Sequence, residues 1–127
     1  MKASIKGSRA ERELLDKFHA LGYRGIRIAG SGHSHGAPDL LVGLTNRVLV
    51  IECKASGKNC VYIDPLEIQN VLDYSIKFNG EGWYGIRFDR KDWIFFRAEE
   101  IANNRKVSPD TGLSFQKLIQ ATDLFNK

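Results

Sequence analysis

The chain has 127 residues, 43% of them hydrophobic and 27% charged, and only three prolines. That length supports one hydrophobic core and argues against two, so a single domain over residues 1–127 is expected. No apolar run approaches the ~20 residues that cross a bilayer, and the charged start lacks the apolar stretch of a signal peptide. The net charge of +4 permits an anionic partner.

The distribution of charge says more than its sum. Lys2, Lys6, Arg9, Arg12, Lys17, Arg24 and Arg27 crowd the first quarter, whereas the last quarter is near neutrality. A one-ended basic surface suits a phosphate backbone. Cys53 and Cys60 have neither CxxC nor zinc spacing. They read as reduced thiols of an intracellular, cytoplasmic protein.

Ala10, Leu14, Leu15, Phe18 and Leu21 recur at helical spacing, so residues 4–21 are read as a helix that Gly22 ends. Ser8, with Glu11 three residues on, fits a capping box. Glu11 also lies at the margin of the apolar stripe, and spacing alone leaves cap and active site open. Residues 23–29 alternate as a short strand, Arg24, Ile26 and Ile28 on one face and Arg27 on the other. Gly30, Ser31, Gly32, His33, Ser34, His35 and Gly36 follow as a loop. The two histidines invite a zinc reading, but the further Cys or His ligands it requires are missing. The loop reads better as approaching phosphate through its main-chain amides.

Residues 39–44 and 47–53 are β-rich runs around Thr45-Asn46, which can turn the chain as a hairpin. If Leu44 pairs with Arg47, counting outward sets Asp39 opposite Glu52, with Cβ atoms roughly 5 Å apart on one face. Lys54, two residues beyond Glu52, shares that face, and Cys53 lies on the opposite one as a small core residue. Two carboxylates that close repel unless a cation or a shared proton separates them. A stable hairpin does not ask for this arrangement, and it suggests a metal site.

Residues 55–59 are polar loop and 60–63 a short extended piece. Asp64, Pro65 and Glu67 mark a helix start. That helix runs to about Phe78, with Ile68, Val71, Leu72, Ser75 and Ile76 inward, and stops at Asn79-Gly80. Residues 83–89 and 93–97 form a second hairpin, 98–103 a helical turn, and a loop passes Pro109 and Gly112. Ser114 caps a last helix carrying Phe115, Leu118, Ile119 and Thr122 on one face. The order α-β-β-β-α-β-β-α predicts an α/β fold, a mixed central sheet flanked by helices.

With Glu11, Pro38-Asp39 and Glu52-Cys53-Lys54 in place, the chain resembles the PD-(D/E)xK nucleases. Within them it is similar to the archaeal-type Holliday junction resolvases. The similarity runs through residues 6–14, 27–32, 38–41, 50–54, 61–63 and 108–114. It implies a catalytic centre of Glu11, Asp39, Glu52 and Lys54. It also implies DNA contacts or site support from Arg12 and Arg27, and a functional role for the glycine-serine loop, Ser31 above all. Lys6 and Arg9 join the DNA-binding candidates as neighbours in the basic quarter. Tyr74 and Phe78 match aromatics that the family uses near its dimer and junction surface, though core packing explains them equally. His33 and His35 depart from the family pattern.

Carboxylate ligands select a hard divalent ion, so magnesium is expected, with manganese as substitute. Asp39 and Glu52 would bind it, the main-chain carbonyl of Cys53 adding a ligand and Glu11 completing the shell. The expected partner is a four-way DNA junction, held by a homodimer without any membrane. The rival readings are a duplex-cutting PD-(D/E)xK endonuclease and a non-catalytic DNA-binding protein of the same fold.

Overall fold

The structure, a computed structural model, describes residues 2–28, 36–103 and 106–121. Helix α1 spans Lys2–Ala20. Leu14 and Phe18, one turn apart, are fully buried, each contributing about 2 kcal/mol of burial. Gly22 takes φ +90°, and Tyr23 N–H reaches back to Phe18 O at 3.2 Å. This left-handed residue closes the helix end. Leu21 falls in that turn and is 55% exposed, off the stripe that spacing had given it. The helix starts before Ser8, which overturns the capping-box reading. Ser8 and Glu11 are interior to α1, where main-chain N–H groups already bond the preceding turn.

Strands β1 (Arg24–Arg27), β2 (Leu40–Leu44) and β3 (Arg47–Ser56) form an antiparallel meander. Leu44 pairs with Arg47 around Asn46 at φ 64°, the register that counting predicted. After β4 (Val61–Tyr62), helix α2 (Pro65–Lys77) carries the chain across to β5 (Glu81–Phe88), which lies parallel to β3. The Asp64 side chain accepts from Leu66 N–H at 2.9 Å, as its capping position requires. β6 (Trp93–Arg97), α3 (Ala98–Asn103), β7 (Lys106–Val107), β8 (Leu113–Ser114) and α4 (Phe115–Gln120) follow.

The sheet order is β1-β2-β3-β5-β6-β8, mixed as expected, with β3 and β5 the parallel pair among the described strands. Leu14 and Phe18 of α1 and Leu118 of α4 pack on Leu40, Leu49, Ile51 and Trp83 on one face. Ile68 and Val71 of α2 and Ile101 of α3 cover Tyr84, Ile86 and Phe88 on the other. Strand alternation divides the two sets: Trp83 points one way and Tyr84 the other.

Three expectations fail for local reasons. Ile76 is 68% exposed, because it sits about 100° around α2 from Ser75, the last inward residue. Phe78 caps α2 and is 49% exposed, stacked on half-buried Tyr74 with centroids 6.4 Å apart, so the core explanation fails for Phe78. The stretch beyond α3 holds β7, paired with β4, and β8, paired with the edge of β6, where a loop was expected. A side chain on Gly112 would meet Ile94 Cγ2 at 2.2 Å, so the chain reaches β8 only by close backbone approach. Among the described residues no helix is long and apolar enough to cross a membrane.

One buried ion pair ties the sheet at the end away from the carboxylates. Arg47, its side chain almost fully buried, donates from Nε and Nη2 to both oxygens of Glu81 at 2.8 and 2.7 Å. Its Nη1 reaches Leu118 O of α4 at 2.9 Å, and Trp83 Nε1 donates to Glu81 at 2.9 Å. Removing one partner strands the other charge in low dielectric. Glu81→Ala should therefore cost about 3–5 kcal/mol of unfolding free energy, read from urea melts. A loss below ~1 kcal/mol would show that the guanidinium finds water instead.

Candidate active site

The predicted acids gather where β1, β2 and β3 meet α1 and the start of α2. Asp39, buried just before β2, is held on three sides. Its N–H donates to Ile51 O at 3.1 Å and its carbonyl accepts from Ile28 N–H at 2.9 Å. Its Oδ2 accepts from Cys53 N–H at 2.8 Å. The β2–β3 register ends at the Leu40–Ile51 pair, so Asp39 meets Glu52 through side chains rather than as a ladder pair, the two carboxyl groups sharing a hydrogen bond. Burial first, then the charges of Asp39 and Glu67, push Glu52 up to about 8, while Lys54 pulls the other way. Neighbouring cations do not fully balance this pair.

Glu11 approaches from α1. Its Oε1 accepts from Arg27 Nε at 2.8 Å, and Arg27 Nη2 donates to Ser8 Oγ at 2.8 Å. Burial, followed by the Asp39 charge, raises the Glu11 carboxyl above its ordinary range despite Arg27 and Arg12. Cys53 packs against the core on the α1 side. Its thiol is pushed well up by burial and then by the charges of Asp39, Glu11 and Glu52.

Lys54 lies on the Glu52 face, and its Nζ donates to Glu67 Oε2 at 2.7 Å. The other oxygen, Oε1, accepts from Tyr84 OH at 3.0 Å. Tyr84 stands opposite Glu52 across the parallel β3–β5 pair, and burial, then the Glu67 carboxylate, push its hydroxyl upward. In the sequence Glu67 reads only as a helix-start acid, and Tyr84 carries no site signal. The parallel register that joins them is set by tertiary packing and leaves no local signal.

Arg9 and Arg12 are exposed on α1. With Ala55, Ser56, Arg87 and Arg90, Arg9 lines a cleft of about 290 Å³ that starts at the residue after Lys54. Ser31, His33 and His35 lie outside the described residues, as does the side chain of Lys6. Among the described residues no three His, Cys, Asp or Glu side chains gather into a metal-binding group. Glu11 turns to Arg27 and Glu67 to Lys54, while Asp39 and Glu52 face each other. The donor chemistry of this pair is all oxygen, with excess negative charge, which fits a hard divalent cation.

The sequence profile of the archaeal Holliday junction resolvases (Hjc) matches residues 2–126. The crossover junction endodeoxyribonuclease Hjc of Archaeoglobus fulgidus is 31% identical over 102 residues, covering 80% of this chain and 75% of that protein. The Methanocaldococcus jannaschii protein of the same name is 37% identical over 101 residues, covering 80% and 72%. The crossover junction endodeoxyribonuclease Hje of Saccharolobus islandicus is 30% identical over 121 residues, covering 90% and 87%. A solved structure of A. fulgidus Hjc aligns with a TM-score of 0.81 at 25% identity, covering 89% of this chain and 99% of that one.

The raised Glu52 has a measurable consequence. Its folded-state value near 8 lies above the ordinary 4.5, so between those values the folded protein holds a proton that the unfolded chain has released. Stability should fall as pH rises through that window and level off above it. In cation-free buffer, Glu52→Gln should melt near wild type at pH 4 and higher than wild type at pH 8.5. Some slope should remain from Glu11. Parallel Tm-versus-pH curves for the two proteins would disprove the assignment.

Proposed function

This chain belongs to the archaeal Holliday junction resolvase family, and on that footing we propose a structure-selective endodeoxyribonuclease that acts on four-way DNA junctions. One nuclease domain over residues 1–127 would carry the activity, working inside the cell on DNA. The observation that carries the reading is the Asp39 carboxyl hydrogen-bonded to that of Glu52, with the Lys54 charge acting on the same group. Asp39 and Glu52, with Glu11 and the main-chain carbonyl of Cys53, would hold magnesium, for which manganese could substitute. When bound, such an ion lowers the pKa of a water and polarises the scissile phosphate.

The remaining roles fall to the chain's own side chains. Lys54 offers an ammonium group beside the acids, to orient the attacking water or counter charge developing on the phosphate. Arg27, held by Glu11 and Ser8, and Arg12 would grip backbone phosphates, with Lys6, Arg9 and Ser31 as further candidates. Phosphate contacts position a protein without reading bases, so junction shape rather than sequence would govern affinity. Ionising Glu52 is a condition for holding a cation, so cation binding near neutral pH would release a proton.

Asp39→Asn and Glu52→Gln should each slow junction cleavage at least a hundredfold, about 3 kcal/mol of barrier, in single-turnover assays with magnesium. Junction binding should persist. Near-normal cleavage by either variant would sink the metal-site assignment.

A junction resolved cleanly requires two symmetric cuts, and a two-fold homodimer repeats its site about an axis that a four-way junction can share. The exposed Phe78 beside Tyr74 supplies candidate contact surface. Sedimentation at micromolar concentration should give a dimer, and junctions should yield paired nicks that ligate into linear duplexes. A monomer that cuts linear duplex as fast as a junction would refute the resolvase reading in favour of a duplex endonuclease.

A further inference from the structure

We propose that Glu67, backed by Tyr84, is the positioning residue for Lys54, holding its ammonium group over the face that carries Asp39 and Glu52. The proposal rests on the nuclease reading above and adds a role to a side chain outside the acid-lysine set. Lysine has a long flexible stem with about 2 kcal/mol of rotamer entropy, and an unanchored ammonium would spend little time at one place. Glu67 removes that freedom from a rigid base. It sits in the first turn of α2, behind the Asp64 cap and Pro65.

Both Glu67 oxygens are engaged, Oε2 by Lys54 Nζ at 2.7 Å and Oε1 by Tyr84 OH at 3.0 Å. Tyr84 is itself fully buried in β5, so three elements converge on one carboxylate. An ammonium has three donors, and this contact uses one. Among the described residues the others meet no acceptor, which leaves them for a water or a phosphate oxygen.

A stability role explains the arrangement poorly. Lys54 and Glu67 side chains are 31% and 29% exposed, and ion pairs so wetted contribute roughly 0–1 kcal/mol. Meanwhile Glu67 brings another carboxylate within electrostatic reach of Glu52, which opposes stability. Orienting Lys54 accounts for both facts.

The test is a double-mutant cycle on single-turnover junction cleavage with magnesium, using Glu67→Ala, Lys54→Ala and the double variant. Glu67→Ala should lower the rate roughly 10–100-fold, the usual size for losing a supporting contact, with junction affinity and Tm near wild type. The double variant should be no slower than Lys54→Ala alone, because one residue acts through the other. Glu67→Gln, which keeps an acceptor, should restore part of the rate, and Tyr84→Phe should lose severalfold. A metal-free readout is the NMR resonance of the Lys54 ε-methylene, which should shift toward that of a free lysine in Glu67→Ala.

Should Glu67→Ala melt early, Glu67→Gln and Tyr84→Phe carry the same comparison. A wild-type rate in the Glu67 variants, an unshifted resonance, or multiplicative losses in the double variant would overturn the positioning role and leave the nuclease reading standing. A fully active Lys54→Ala would overturn the role of Lys54 and the positioning role with it, whereas a wild type that leaves junctions uncut would overturn the nuclease reading.

Discussion

The register of the β2–β3 hairpin decides where every charged group of the site falls. Leu44 meets Arg47 at the turn, and from there each pair follows without further choice. A slip by one residue would send Glu52 and Lys54 to the α1 face and bring Cys53 among the acids. Buried apolar residues prevent that slip: Leu40 and Val42 on β2, Leu49 and Ile51 on β3, all fully enclosed. Hydrophobic burial therefore positions the carboxylates, although no apolar atom takes part in the chemistry. Folding correctly and placing the acids are one constraint here.

The acids around the hairpin differ in partner rather than in kind. Glu11 is matched to Arg27 and Ser8, and Glu67 to Lys54 and Tyr84. Asp39 and Glu52 are set against each other, and the folded protein relieves their repulsion by holding a proton on Glu52 up to about pH 8. Outside this negative centre lie Arg9 and Arg12, both exposed on α1. A polyanion is drawn to such a rim and a small cation to its interior. The two would bind side by side without competing.

How far the chain can be read without coordinates varies with the range of the interaction. The hairpin, the Asp64 and Ser114 caps, and the closure at Gly22 were all legible, because each follows from spacing or dihedral preference within a few residues. The Ser8–Glu11 capping box was a false local signal. The helix begins earlier, and the two side chains answer to Arg27, sixteen and more residues away. Phe78 and Ile76 carry the right apolar chemistry for core, but their angle about α2 places them outside. The pairings of β4 with β7 and of β6 with β8 involve two-residue strands, too short for any period to register. The Lys54–Glu67–Tyr84 contact depends on the parallel β3–β5 alignment, which no single segment encodes.

The two borders of the main sheet bear on how copies of this protein can meet. Among the described strands, β1 forms one border with only four residues, two of them Arg24 and Arg27, and β8 forms the other with two. Brief or arginine-bearing borders present few open main-chain groups for another strand to join. The sheet thus discourages growth by strand addition, the route that leads to open-ended aggregates. Any contact between copies would have to form through side chains rather than strand edges.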